Sequence, residues 1–183
     1  MMQTAIIHLG FGVAAATLTA ILWSIVFPKY RIWPPKQYTA LTPVFVWVPT
    51  FTLFGILIVL GILGWGNVAI PSWLRFGVGL PLIVIGNIIV WQEVSHFGVP
   101  QTGGAKGTLR TEGMYRYSRN PQYVADIAIV GGWMILSAAP WVFAVGAPVI
   151  AILVVTPFAE ERWLKDQYGT AFEDYAKRVR RFF

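Results

Sequence analysis

The sequence predicts an all-α protein that crosses a membrane about five times. Its last two spans form a helical hairpin, and an amphipathic C-terminal helix follows. Three observations predict this. Only 12% of residues are charged and 56% are hydrophobic, about half the charged fraction of a soluble domain. Apolar runs of the roughly 20 residues needed to cross a bilayer recur along the chain. No charged residue stands between Asp126 and Glu160, a stretch too long for one span.

The first span is Ala5 to Phe27, where His8 is the one side chain that could carry charge. Neither a basic region nor a cleavage site precedes it, so it reads as a retained span rather than a signal peptide. The second, Leu41 to Trp65, is entered by Thr42-Pro43 and left through Gly64, Gly66 and Asn67. The third runs from about Trp73 to Trp91. The long uncharged stretch divides at Ala139-Pro140, because proline inside a helix removes a hydrogen bond and clashes with the preceding turn. Its halves are Pro121 to about Ser137 and Pro140 to about Phe158. From Glu160 onward, Leu164, Tyr168, Phe172, Tyr175, Val179 and Phe182 recur at three- and four-residue steps. That spacing makes an amphipathic helix, interrupted at Gly169. No repeat or linker divides the chain, so residues 1–183 are expected to form one domain.

The net charge of +6 is placed for membrane anchoring, since its basic residues flank hydrophobic spans; no nucleic-acid partner is implied. Lys29, Arg31 and Lys36 lie between spans one and two, and Lys106, Arg110, Arg116 and Arg119 between three and four. Arg162, Lys165, Lys177, Arg178, Arg180 and Arg181 follow span five. Five spans put all three groups on one side. The positive-inside rule makes that side cytoplasmic, with the N-terminus outside, in a cell (inner) membrane. The absence of cysteine excludes disulfides, thiolate metal sites and a cysteine nucleophile. No spacing suggests a metal site, a phosphate loop, a nucleophile elbow or a dinucleotide fingerprint.

The polar chemistry gathers at two places. One is "GMYRYSRNPQYVAD", Gly113 to Asp126, and the other is Glu160-Glu161. A hairpin returns its ends to one face, so the two clusters meet at the cytoplasmic boundary. Taken singly, most of these residues have ordinary roles. Asn120-Pro121 is a standard helix start, and the arginines and tyrosines suit a membrane interface. Two carboxylates at the negative end of a helix dipole are harder to dismiss and call for a cationic partner: Arg119, Arg162 or a ligand. Asp126, one turn inside its span, either pairs with Arg119 or Arg116 or has a function.

"LRTEGMYRYSRNPQY", a hairpin, and "EERWLKDQYGTAFEDYAKRVRRFF" together resemble the membrane methyltransferase superfamily, which includes isoprenylcysteine carboxyl methyltransferases and phosphatidylethanolamine N-methyltransferases. The resemblance covers about Leu109 to Phe183. It implies S-adenosylmethionine as methyl donor and a lipid or lipid-like acceptor. Asn120 replaces the His usual in carboxyl methyltransferases, which favours a phospholipid amine headgroup over an isoprenylcysteine-type carboxylate. The implied cofactor residues are Gln101, Leu109, Gly113, Tyr115, Arg119, Asn120, Tyr123, Glu160 and Glu161. Arg119, Asp126 and Glu161 are expected to carry the reaction, with Arg119 suited to the donor's carboxylate, a glutamate to its ammonium and tyrosine faces to its sulfonium. Two rival readings remain: a nicotinamide-dependent sterol reductase, which shares similar C-terminal motifs but has more spans, and a non-catalytic membrane protein that keeps the fold.

Overall fold

The computed structural model describes residues 1–102 and 104–182, without the side chains of Phe97 and residues 99–102. The protein is all helical among these residues. Helices α1 (Met2–Val26) and α2 (Thr42–Leu63) precede a short turn of helix, Ser72–Leu74, and a wide π-helical turn, Arg75–Gly79. Then follow α3 (Leu80–Thr102), α4 (Pro121–Ser137), α5 (Pro140–Tyr168) and α6 (Thr170–Arg178).

The multi-pass expectation holds, with one refinement. Among the described residues, four segments are long and apolar enough to cross a membrane: Met2–Val26, Thr42–Leu63, Ser72–His96 and Pro140–Tyr168. The expected fourth span, α4, has only 17 residues. At 1.5 Å per residue it rises about 25 Å, short of a full hydrocarbon core of about 30 Å. Its partner α5 is longer than expected. It continues past Phe158 and through both glutamates to Tyr168, where Gly169 ends it.

The hairpin turns where proline predicted. Ala138 adopts a left-handed conformation (φ 50°) at the end of α4, Ala139 is extended, and Pro140 occupies the first turn of α5. Arg75 closes this turn by donating Nε to the Leu136 carbonyl at 2.9 Å. The Gly66 and Val68 N–H groups take the carbonyls of Ser137 and Ala138, both at 2.8 Å.

The core joins α1, α2, α4 and α5 through Ala14, Leu57, Leu60, Val130, Val142 and Val145. Helix α3 and the two turns before it lie outside it, against α4; the turns present Trp73 and Phe76 outward, and α3 presents Ile85, Ile88 and Trp91. On a membrane protein that apolar face belongs to lipid. Small residues bring α3 and α4 together. A Cβ on Gly86 would stand 2.7 Å from the Ala125 carbonyl oxygen, and one on Gly132 would stand 2.7 Å from that of Gly79. Such close backbone approach is a normal basis of helix association in lipid.

Candidate functional site

Three segments gather at the end of the bundle opposite the Ala138 turn: the α1–α2 connection, the segment between α3 and α4, and the C-terminal tail. Hydrogen bonds bind them together. The Tyr168 hydroxyl donates to the Gly107 carbonyl and the Tyr175 hydroxyl to that of Tyr115, each at 2.7 Å. The tail lies against residues 118–120: the Arg119 N–H donates to the Arg180 carbonyl at 2.9 Å, and Asn120 Nδ2 to that of Arg181 at 3.0 Å. Asn120 occupies the cap position of α4, but its side chain makes no cap hydrogen bond. The expected capping amide instead holds the tail.

Between these segments is a cavity of about 240 Å³. Its outer wall includes Trp33, Leu109, Tyr115, Asn120, Tyr123 and Glu160; deeper in the bundle it is lined by Val46, Phe54 and Leu153. The cavity therefore has a polar aromatic mouth and a mostly apolar inner arm, to which Trp47 and Thr50 also contribute.

The two adjacent glutamates divide the work, because successive helical residues point about 100° apart. Glu160 lines the cavity. Its Oε1 accepts the Trp33 indole N–H at 2.8 Å and the Tyr123 hydroxyl. Among the described residues no donor reaches Oε2. Glu161 points away, toward the tail. Arg119 donates to its Oε1 from Nη2 at 2.8 Å and from Nε at 3.1 Å. Arg181 donates to Oε1 at 2.9 Å and to Oε2 at 2.7 Å. The remaining Arg119 donor, Nη1, serves the carbonyls of Ala176 and Val179, both at 2.8 Å.

The cavity's charge balance follows. Its two lining arginines are engaged with carboxylates behind the wall, Arg119 with Glu161 and Arg110 with Glu93 at 3.8 Å. Its two carboxyls, Glu160 and Asp126, have no cationic partner among the described residues. The expected pairing of Asp126 with Arg119 or Arg116 does not form, because Arg119 is used up by Glu161 and the tail carbonyls. Tyr115 also lines the cavity, and burial pushes its phenol far above the usual tyrosine range, with Glu93 and Glu160 adding to the effect. It stays protonated.

Of the residues expected at the site, Leu109, Tyr115, Arg119, Asn120, Tyr123, Asp126 and Glu160 line one cavity. Glu161 and Gly113 are not in its lining. Glu161 is held outside by its two arginines, and Gly113 is exposed at the start of a 3₁₀ turn. Gln101 falls outside the residues described with their side chains. Trp33 and Arg181 were not anticipated. Each sits in a basic segment whose composition already suited membrane anchoring, so neither carried a separate signal.

A sequence model described as phospholipid methyltransferase matches residues 74–171, just over half the chain. The chain is also 27% identical over 112 residues to the steroid 5-alpha-reductase DET2 of Solanum lycopersicum. That alignment covers 61% of this chain and 42% of the tomato protein's length. No solved structure matches.

Proposed function

Because the chain belongs to the phospholipid methyltransferase family, we propose that it is an S-adenosylmethionine-dependent methyltransferase acting on a lipid amine headgroup. Its site would lie at the cytoplasmic boundary of the membrane. The observation that carries this reading is the cavity's charge: two carboxyls without cationic partners among aromatic rings, with every lining arginine engaged elsewhere.

The residues fit the donor. Glu160 Oε2 suits its ammonium, and Trp33, Tyr115 and Tyr123 offer ring faces to a sulfonium. The donor's carboxylate suits the N–H groups of Gln122 and Tyr123 in the first turn of α4, where a helix start favours an anion. Arg119 supports that turn from behind rather than holding the carboxylate directly. When bound, the donor supplies an electrophilic methyl group, its sulfur leaving with the bonding electron pair. The apolar arm at Val46, Phe54 and Leu153 suits an acyl or isoprenoid chain. Asp126, between arm and mouth, suits an amine and takes up the proton the amine gives up on methylation. A carboxylate acceptor would meet two carboxyls and no available arginine, so the carboxyl methyltransferase alternative fits less well.

The reductase relative favours a second reading. A nicotinamide dinucleotide, however, brings several phosphate charges into a cavity whose arginines are already paired.

The deciding experiment is calorimetric binding of S-adenosylmethionine to detergent-purified protein, followed by labelled methyl transfer into phosphatidylethanolamine vesicles. Saturable binding and transfer are expected. Asp126→Asn should reduce turnover about 100-fold, the lower end of a general base's contribution, and leave donor affinity unchanged. Binding of reduced nicotinamide in place of the methyl donor would overturn the proposal.

A further inference from the structure

Among the cavity residues that lie outside the family match is Trp33, in the connection between α1 and α2. Contacts on every side fix its position. Ser24, in the last turn of α1, accepts the backbone N–H groups of both Ile32 and Trp33 at 2.9 Å. The Ser24 hydroxyl in turn donates to the Ala20 carbonyl at 2.7 Å. Across the indole, Gly104 has a φ of 92°, and a Cβ there would stand 2.9 Å from the Trp33 ring. Glycine alone supplies both that backbone conformation and that close approach without strain.

Held in this way, the indole donates its N–H to Glu160 Oε1, the oxygen that also takes the Tyr123 hydroxyl. A carboxylate with two donors on one oxygen cannot turn without losing both. Its second oxygen, which no donor among the described residues reaches, is left to a ligand of the cavity that Glu160 lines. We infer that Trp33 is a positioning residue, whose indole N–H orients Glu160 so that Oε2 meets the ammonium of the methyl donor's amino-acid portion. The α1–α2 connection is then part of the cofactor site. This rests on the donor proposed above and extends it to a segment that neither the motifs nor the family match covers.

Two ligands separate positioning from mere support. S-adenosylhomocysteine carries the amino-acid portion, and 5′-methylthioadenosine has the same nucleoside and sulfur without it. Calorimetry would compare both on the wild type, Trp33→Phe and Gly104→Ala. Trp33→Phe keeps a ring and loses the N–H. It should weaken S-adenosylhomocysteine about tenfold, the effect of roughly one hydrogen bond to a charged group, and leave methylthioadenosine unchanged. Its unliganded melting temperature should stay near the wild-type value. Gly104→Ala displaces the ring and should show the same selective loss, as should Ser24→Ala if either of the others fails to fold. Trp91→Phe, on the lipid-facing side of α3, serves as the unchanged control. Equal losses for both ligands, or no loss for either, would overturn the inference by making Trp33 a plain wall. If the wild type binds neither ligand, the donor reading itself fails and the positioning role falls with it.

Discussion

At one end of the bundle α4 passes into α5 through Ala138 and Ala139 alone; at the other, three long segments fold over a cavity. Both ends face the same problem, since helix termini leave backbone groups without intrahelical partners. The Ala138 end solves much of it with groups brought in from the connection before α3. The carbonyls of Leu136, Ser137 and Ala138 are met by Arg75, Gly66 and Val68, and the Arg75 guanidinium lies 4.9 Å from the centre of the Trp65 ring. The opposite end is just as capable, and Arg119 alone satisfies two tail carbonyls and a carboxylate there. Yet it leaves Glu160 Oε2 and Asp126 open in one cavity. These two carboxyls are the groups that the proposed methyl donor and amine acceptor would meet.

The largest effect should come from removing the anion that closes the loop end. Glu161→Ala leaves both Arg119 and Arg181 without their carboxylate, and the Arg119 side chain is only 12% exposed. Breaking a largely buried pair from one side costs about 3–5 kcal/mol. Thermal unfolding in detergent should show that loss, along with release of the tail from residues 118–120. A Glu161→Ala protein as stable as the wild type but unable to bind the donor would instead make Glu161 a ligand contact.

Its neighbour should behave in the opposite way. Glu160→Gln keeps the shape and removes the charge facing the cavity. Donor affinity should fall by about 2–3 kcal/mol, the value of a charge-assisted contact, with stability little changed. Two adjacent residues would then separate cleanly, one in the melting curve and the other in the binding isotherm.

That separation was only partly legible in the sequence. Proline at the first helical position and an absence of charge from Ile127 to Ala159 sufficed to define the hairpin, because both act locally. The amphipathic stripe likewise announced Phe172 and Tyr175 as buried. Which glutamate faces the cavity depends on the rotation of α5 against α4, which no local pattern carries. Arg119 illustrates the same limit. Its charge pointed to an anion, and the anion beside it in the fold is Glu161, at a spot to which the tail also brings Arg181 and two carbonyls. Trp33 was invisible for a related reason: its role is set by Ser24, Gly104 and Glu160, which are far apart in sequence and meet only in the fold.

A smaller effect is expected at the Ala138 end. Arg75→Met keeps much of the side chain's length and removes its hydrogen bonds to the carbonyls of Leu136 and Ser137, at 2.9 and 3.4 Å. A loss of about 1–2 kcal/mol is expected, with donor affinity unchanged. If affinity falls as well, the two ends are coupled through α4, and the cavity depends on the turn that closes the hairpin.

The smallest effect also tests how the loop end is held. The buried Tyr175 hydroxyl donates to the Tyr115 carbonyl at 2.7 Å, tying α6 to the 3₁₀ turn before α4. Tyr175→Phe should cost about 1 kcal/mol near neutral pH. Burial pushes the Tyr175 phenol up to about 12, with the Arg119 charge opposing the shift. A raised tyrosine favours folding while it stays protonated. Its contribution is therefore complete below the unfolded value near 10 and is lost as pH rises from 10 toward 12. Other groups titrating in that range are common to both proteins and cancel in the comparison. The stability gap between wild type and Tyr175→Phe should accordingly stay constant from pH 6 to 9 and shrink above 10. A gap that does not change with pH would mean that the unfolded and folded phenols titrate alike, and that α6 is held by Phe172 packing and the Arg119 contacts rather than by this buried hydroxyl.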